Sequence, residues 1–394
     1  MNGKVVPVPN WFPYPIRYIG DCGISGRGYS MRGYLAALRT IGVTEEQIDI
    51  MPWPPANPPE DWLHACYLCA RDKPSFSGLR RLNVIDVALL AAGRFWTKDW
   101  YNIVVASWST DRLPDDVVSP INRCDEVWAV SEQVQQTLLQ AGVEKPIYVI
   151  PHALQPELLE TPPKEVAPDI APRVHPNIGP HEYKHTSPVC FYYVGSWDER
   201  KNVRDGLLQA YFNTGWTSSD PVELVIHSPA PSGRDVVAHD KLLHEQLDWL
   251  RGQQPQPFDA PVVHLSTRPR PYSWICKLHA INHVFVTATR GEGFCLPAWE
   301  AAAAGNLVVV PADAVETPPG ALTYWSQLTD VPGRPGQKWW DPNLEDLTRQ
   351  LRVAFQLVRS GSTVAELAHQ ARARVSPVAV GELLRERLTA IKEG

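Results

Sequence analysis

Short apolar runs alternate with amphipathic stretches along most of the chain. The first run, residues 16–19, leads into DCGISGRGYSMRGYLAAL (21–38). There Gly23, Gly26 and Gly28 mark a tight loop, and Ser30 is placed to cap the helix behind it. Strand, glycine loop and helix in that order open a doubly wound α/β domain. Residues 101–106 (YNIVVA) read as a buried strand, SWSTDRLPDD (107–116) as the loop after it, and 126–130 as a further apolar strand. Ser131 then reads as the N-cap of a helix with Val134, Leu138 and Leu139 as its apolar stripe and Gly142 at its end. The next strand, 147–150, stops at Pro151.

Residues 161–188 break this rhythm. They hold six Pro in their first twenty positions and have no apolar period, so they read as a linker or long surface loop. The linker separates an N-terminal domain, 1–160, from a second series of alternating elements, 189–375. Strands are predicted at 190–194, 222–226, 262–265, 283–287 and 307–310, with a helix at 203–212. Asp341-Pro342 reads as the N-cap and first position of a helix carrying Leu344, Leu347, Leu351 and Phe355. Ser376-Pro377 repeats the signal for a terminal helix, 376–394, with Val380, Leu384, Leu388 and Ile391. That helix is expected to pack back on the N-terminal domain. Strands alternating with helices predict parallel sheets.

Composition fits two domains of ordinary size: 394 residues, 44% of them hydrophobic. No stretch approaches the roughly 18–20 apolar residues that a membrane span needs. The opening MNGKVVPVPNWFPYP lacks the apolar core of a secretory signal. A net charge of −6 argues against a broad nucleic-acid-binding surface and leaves a local basic groove open. Seven unclustered Cys read as reduced thiols of a cytoplasmic protein. The Cys66/Cys69 pair reads as two small helical hydrophobes in preference to a metal or redox site. The 38 Pro gather in loops such as 51–62.

Two segments carry candidate chemistry. In TRGEGFCLPAWEAAAAGNLVVV (289–310), Glu292 and Glu300 are eight positions apart. Pro297 suits the first turn of a helix and Gly305 the position just past its end. Glu292 then lies on a loop between Gly291 and Gly293. The amides around Phe294, Cys295 and Leu296 would point at an anion near the positive helix end, where a diphosphate fits. In VGSWDERKNVRDGLLQAY (194–211), a strand ends at Gly195 and a turn brings Arg200 and Lys201 to a helix start. Two cations there can neutralise a leaving diphosphate.

The first segment resembles the E-x7-E motif of family 4 glycosyltransferases, which reads E-G-F-G-x-P-x-x-E-A-x-A-x-G. Cys295 stands where that motif has Gly. The second is similar to the family's donor-phosphate loop, in which a Lys precedes Gly or Asn, as in Lys201-Asn202. Ser196 occupies a position where many members carry Arg, and Arg200 is expected to supply that charge. The loop with Trp108, Ser109 and Asp111 is similar to W-E-T-D-x-L-P of the acceptor domain. Pro151-His152-Ala153-Leu154-Gln155 is similar to P-H-G-V-D, with His152 expected to cap or pack.

The resemblance implies an α/β GT-B fold: two facing Rossmann-like domains with parallel sheets and a C-terminal helix. It implies retaining transfer of a sugar from a nucleotide-diphosphate sugar to a hydroxyl acceptor. Glu292 would contact the donor sugar, Lys201 and Arg200 would stabilise the diphosphate, and Glu300 would bond the ribose hydroxyls. Gly291, Gly293, Phe294, Cys295, Leu296 and Ser196 complete the expected donor side, with Gly26 from the N-terminal glycine loop. Trp108, Ser109 and Asp111 lie on the acceptor side. No D-x-D motif is present, so no metal is expected, and the nucleotide sugar is a co-substrate, not a cofactor. Polysaccharide, small-molecule and modified nucleic-acid-base acceptors all stay open. The basic stretch 71–83 is broken by Pro and Gly and does not read as a membrane-docking helix. The alternative is a sugar-nucleotide-binding protein of the same fold without catalysis.

Overall fold

A computed structural model of the chain describes residues 11–12, 14–21, 25–53, 81–163, 188–231, 233–362 and 364–393. Gly23, the Cys66/Cys69 pair and most of the stretches 51–62, 71–83 and 161–188 lie outside these residues. The chain divides into two compact units. One is Met1–Pro156 together with Ala373–Gly394, and the other is Glu157–Arg372.

The first unit is built on six parallel strands: β1 (Ile16–Gly20), β2 (Ile48–Pro52), β3 (Leu82–Asp86), β4 (Tyr101–Ala106), β5 (Glu126–Ala129) and β6 (Ile147–Val149). Their order is β2-β1-β3-β4-β5-β6. The apolar run of β4 is buried from Asn102 to Ala106, as expected of a parallel strand covered on both faces. Ser131 caps the Glu132–Gln140 helix, its Oγ accepting the Val134 amide at 3.2 Å. Leu139, expected on the buried stripe, is exposed.

Ser30 is not the cap of the first helix. Ser25 caps Gly26–Thr40 by accepting the Gly28 amide at 3.0 Å. Ser30 sits one turn inside, where its hydroxyl meets His152 Nδ1 at 2.7 Å. The terminal helix, Pro377–Glu393, belongs to this unit. Its Arg387 guanidinium pairs with the buried Glu126 carboxylate at 2.7 Å.

The second unit holds β7 (Val189–Val194), β8 (Val222–His227), β9 (Val262–Ser266), β10 (Val284–Val286), β11 (Leu307–Pro311) and β12 (Leu322–Tyr324). All are parallel, in the order β12-β11-β10-β7-β8-β9. Read from β9, this is the 3-2-1-4-5-6 order of a dinucleotide-binding sheet, with its reversal between β7 and β10. In such sheets ligands bind beyond the strand ends at the reversal. A two-stranded antiparallel hairpin, β13 (Ser326–Asp330) and β14 (Lys338–Pro342), follows β12.

Asp341-Pro342 does not start a helix. Both residues remain paired in β14, and Asn343 caps Leu344–Arg359 by accepting the Asp346 amide at 2.7 Å. The predicted 203–212 helix opens instead as a π-helical turn, Val203–Leu208, before Gln209–Phe212. Asn202 has φ +53°, and its carbonyl accepts the amides of both Gly206 and Leu207 at 3.1 Å. A Cβ on Gly206 would lie 2.5 Å from Asn202 Nδ2 and 2.8 Å from Ala288 Cβ, so only glycine admits this close turn. Such wide turns inside helices gather at functional sites. This one begins two residues after Lys201.

Candidate functional site

The loops that leave β7 and β10 meet at the reversal of the second unit's sheet. After β7, the Gly195 amide bonds the His227 carbonyl at 3.1 Å, and the buried Tyr193 hydroxyl donates to the Ser196 carbonyl at 2.9 Å. Asp198 then shapes the turn. One of its oxygens accepts the Ser196 hydroxyl at 2.6 Å and the other the Lys201 amide at 2.9 Å. Burial pushes the Asp198 carboxyl up, but the Ser196 hydrogen bond, the Arg200 cation and the Lys201 amide hold it below the usual carboxylate range. The turn delivers Arg200 and Lys201 side by side to the start of the wide helical turn.

After β10, the Arg290 amide bonds the Arg200 carbonyl at 2.7 Å, and the Glu292 amide bonds Ala314 at 2.9 Å. Glu292 is thereby aimed at the two cations. Lys201 Nζ bonds one carboxylate oxygen, and Arg200 Nη1 lies 3.0 Å from the other while donating to the Gly291 carbonyl at 2.6 Å. Burial pushes the Glu292 carboxyl up; Lys201 first and Arg200 second overrule it and hold it low. The reciprocal effect appears at Arg200. Burial pulls its pKa down, and Glu292 and Asp198 carry it above the ordinary value. The Lys201 and Glu292 side chains are 13% and 11% exposed, and Arg200 is 31% exposed. With Asp198 included, the formal charges balance. An incoming diphosphate must therefore draw the cations from Glu292 or share them with it.

The loop ends at the Leu296–Ala303 helix, with Pro297 in its first turn and Gly305 just beyond it at φ +83°. Cys295 caps it at φ −84°, a value open to any residue, so the backbone here does not demand the usual Gly. Burial, then Glu292, pushes the Cys295 thiol up to about 12. The thiol stays protonated and is no nucleophile. Leu296 departs from expectation. Its amide is spent on the Phe294 carbonyl at 3.0 Å and does not point at an anion. Phe294 stacks on Trp299, ring centroids 5.5 Å apart, which holds the loop against the helix.

Glu300 lies one turn inside that helix with its side chain 4% exposed. Its carboxylate accepts the Tyr272 hydroxyl at 2.7 Å and lies 3.4 Å from His279 Nε2. His279 Nδ1 meets the Tyr192 hydroxyl at 2.7 Å, and Asn306 Nδ2 donates to that hydroxyl at 3.1 Å. Tyr272 and His279 come from the Tyr272–Ile281 helix, which carries no motif in the sequence. Arg290, which joins three segments of the site, was equally unmarked.

The remaining candidates lie in the first unit. Gly26 opens the Gly26–Thr40 helix behind the Ser25 cap. Trp108, Ser109 and Asp111 are half-buried on the loop after β4. The Trp108 indole there donates to Thr110 Oγ1 at 2.7 Å and to the Arg112 carbonyl at 2.9 Å. His152 is packed edge-on against Tyr34, ring centroids 5.6 Å apart. Burial and then Arg27 pull its pKa down to about 3, so its ring is neutral. Among the described residues, no group of three or more His, Cys, Asp or Glu is placed to hold a metal ion, and no helix is long and apolar enough to cross a membrane.

No family model and no curated protein matches the chain in sequence. Solved structures do resemble it. Sucrose-phosphate synthase from Thermosynechococcus elongatus is 14% identical over 96% of this chain and 99% of its own, with a TM-score of 0.65. HepE from Anabaena, solved in complex with UDP and glucose, is 14% identical over 96% of this chain and 100% of its own, with a TM-score of 0.62. The α,α-trehalose 6-phosphate synthase of Burkholderia multivorans is 12% identical over 80% of this chain and 72% of its own, with a TM-score of 0.53. These neighbours are glycosyltransferases of the GT-B fold, and this chain has that α/β fold.

Proposed function

We propose that the chain is a retaining glycosyltransferase of the family 4 type. In this reading it transfers a sugar from a nucleotide-diphosphate sugar to a hydroxyl acceptor and needs neither metal nor cofactor. The observation that carries the reading is the convergence of Arg200 and Lys201 on Glu292 at the sheet reversal of the second unit. Two partly buried cations held beside a carboxylate supply what the departure of a diphosphate requires: positive charge fixed in place before the reaction.

The steps then follow from the chemistry. Lys201 and Arg200 take the diphosphate, with Ser196 and the Gly291–Leu296 loop on the donor side. Glu292, released from full engagement with the cations, contacts the sugar. The bond from the anomeric carbon to the phosphate oxygen breaks, and its electron pair leaves on the diphosphate. The acceptor oxygen bonds the same face of that carbon, and its proton passes to the departing phosphate oxygen. A ribose hydroxyl reaches Glu300 by displacing the Tyr272 hydroxyl from it. The Trp108, Ser109 and Asp111 loop serves the acceptor, of which polysaccharide, small molecule and modified base are the classes in view, and Gly26 stays with the donor-side residues. The free thiols Cys124, Cys190, Cys276 and Cys295 favour a cytoplasmic setting.

The test is proton NMR of the chain incubated with UDP-, GDP-, ADP- and TDP-sugars, with and without EDTA. Nucleotide-diphosphate release with the donor's anomeric configuration kept, before mutarotation, and undiminished by EDTA is the expected result. An inverted anomer removes retention. Activity that EDTA abolishes and Mg²⁺ restores removes metal independence. No release from any donor, with or without candidate acceptors, overturns the proposal.

A further inference from the structure

Arg290 is the residue of the second unit that ties the three segments of the candidate site to one another, and no sequence motif marks it. Its backbone amide donates to the Arg200 carbonyl at 2.7 Å, and its Nη1 donates to the Glu199 carbonyl at 2.8 Å. Two bonds from one residue therefore fix the stretch that carries Arg200 and Lys201. Its backbone carbonyl accepts the Trp340 amide at 2.8 Å, its Nε pairs with Asp341 Oδ1 at 2.7 Å, and its guanidinium lies over the Trp339 ring, 4.9 Å from the centroid. Three contacts therefore join it to β14. Glu292, two residues on, is held against the same two cations.

The hairpin has a mechanical role in this arrangement. β14 is paired with β13 along its length, from Asp330↔Lys338 to Ser326↔Pro342. A paired strand is stiffer than the loops on either side of it. Trp339 is buried, so the surface on which the guanidinium rests is fixed as well. A planar guanidinium with several donors can serve a carboxylate, a carbonyl and an aromatic face at once, which an ammonium cannot.

We propose that Arg290 is a positioning residue: it clamps the Glu199–Lys201 turn and the Glu292 loop to the β13–β14 hairpin and so sets the spacing between the two cations and Glu292. The inference rests on the proposed glycosyl transfer for its kinetic consequence, while the clamp itself can be read without turnover. Misplacement of reacting groups by about an ångström costs roughly a hundredfold in rate. Arg290→Met should lower kcat by roughly tenfold to a hundredfold and change the donor KM by less than about threefold, because the groups that bind the donor remain present. Asp341→Asn keeps an acceptor for Nε and should cost less. The double variant should cost no more than Arg290→Met alone, since Asp341 acts through Arg290. Arg290→Lys should restore little, because one ammonium cannot span Asp341 and the Glu199 carbonyl.

The experiment pairs steady-state kinetics of these four variants with hydrogen exchange of the folded proteins. Faster exchange in peptides covering 198–202 and 290–293 of Arg290→Met, together with the fall in kcat at a near-constant KM, is the expected result. Unchanged exchange in those peptides overturns the clamp. Changed exchange with kcat within twofold of wild type overturns its kinetic role. If Arg290→Met does not fold, Asp341→Asn is read by the same two criteria. If the wild type turns over no donor at all, the proposed function fails, and exchange alone decides the clamp.

Discussion

Lys201→Met removes one charge from the candidate site and keeps most of the side chain's volume. The variant should fold. Glu292 retains Arg200 at 3.0 Å and is not left as a buried, unpaired carboxylate. The cost should fall on transfer. Lys201 is 13% exposed, so water screens it weakly, and an effective dielectric of about 20 is the appropriate scale. At that dielectric, unit charges about 4 Å apart interact by about 4 kcal/mol. Only part of a unit charge develops on the leaving oxygen, which brings the loss to roughly 2–4 kcal/mol. That is the range found when one preorganised oxyanion donor is removed, about 2.7–4 kcal/mol, and it corresponds to roughly a hundredfold to a thousandfold in kcat. Arg200→Met should cost less, because Arg200 is 31% exposed and solvent replaces more of its charge. The assay is nucleotide-diphosphate release at saturating donor, with circular dichroism and the thermal midpoint as checks on the fold. A folded Lys201→Met with kcat within a factor of two of wild type would remove Lys201 from the chemistry.

Three other substitutions test separate parts of the account. Glu300→Ala removes the acceptor of the buried Tyr272 hydroxyl and should lower stability by about 1–3 kcal/mol; it should also raise the donor KM more than it lowers kcat. A large fall in kcat at unchanged KM contradicts a ribose-facing role. Asp86 is pushed up to about 6 by burial, against the Tyr18 hydrogen bond at 2.8 Å that lowers it. The folded chain therefore keeps a proton that the unfolded chain has released. This stabilising term is complete below about pH 4 and is lost as pH rises through about 6. Asp86→Asn should consequently gain on wild type with rising pH, by on the order of 3 kcal/mol at pH 8; a variant-minus-wild-type difference in thermal midpoint that stays flat or falls from pH 4 to 8 contradicts it. Arg387→Met leaves Glu126, 0% exposed, with only the Trp128 indole at 2.7 Å and the Tyr101 hydroxyl at 3.0 Å. The loss should be near the lower end of about 3–5 kcal/mol in urea unfolding, with Glu126→Gln in the same chain recovering much of it; a loss below about 1 kcal/mol refutes the buried pair.

The parts of the fold visible in the sequence are those governed by local chemistry. The largely apolar β4, the Ser131 cap and the Pro297/Gly305 frame of the Leu296–Ala303 helix need no distant partner to be recognised. The misread parts answer to distant partners. Ser30 has the chemistry of a cap, but its hydroxyl is taken by His152, 122 positions away. Asp341-Pro342 has the form of a helix start, but pairing with β13 and the ion pair to Arg290 keep it extended. β3 is unmarked in the sequence: its run is short and carries Asn83, whose Nδ2 donates to Asn102 Oδ1 at 2.9 Å on the neighbouring strand. The site divides in the same way. Lys201, Arg200, Glu292 and Glu300 stand in motifs, whereas Tyr272, His279 and Arg290 matter only through contacts across the fold.

The central claim is that the Arg200, Lys201 and Glu292 cluster binds the diphosphate of a nucleotide sugar. Isothermal titration calorimetry of UDP, GDP, ADP and TDP and their sugars, on wild type and on Lys201→Met, tests it most directly. One base should bind well above the others, as diphosphate and as sugar conjugate. Lys201→Met should weaken that nucleotide at least about tenfold, the equivalent of 1.4 kcal/mol, while its monophosphate or nucleoside loses far less. Binding of the same nucleotide with equal affinity by wild type and a folded Lys201→Met would contradict the assignment, and binding of none of the eight ligands by wild type would contradict the donor site itself.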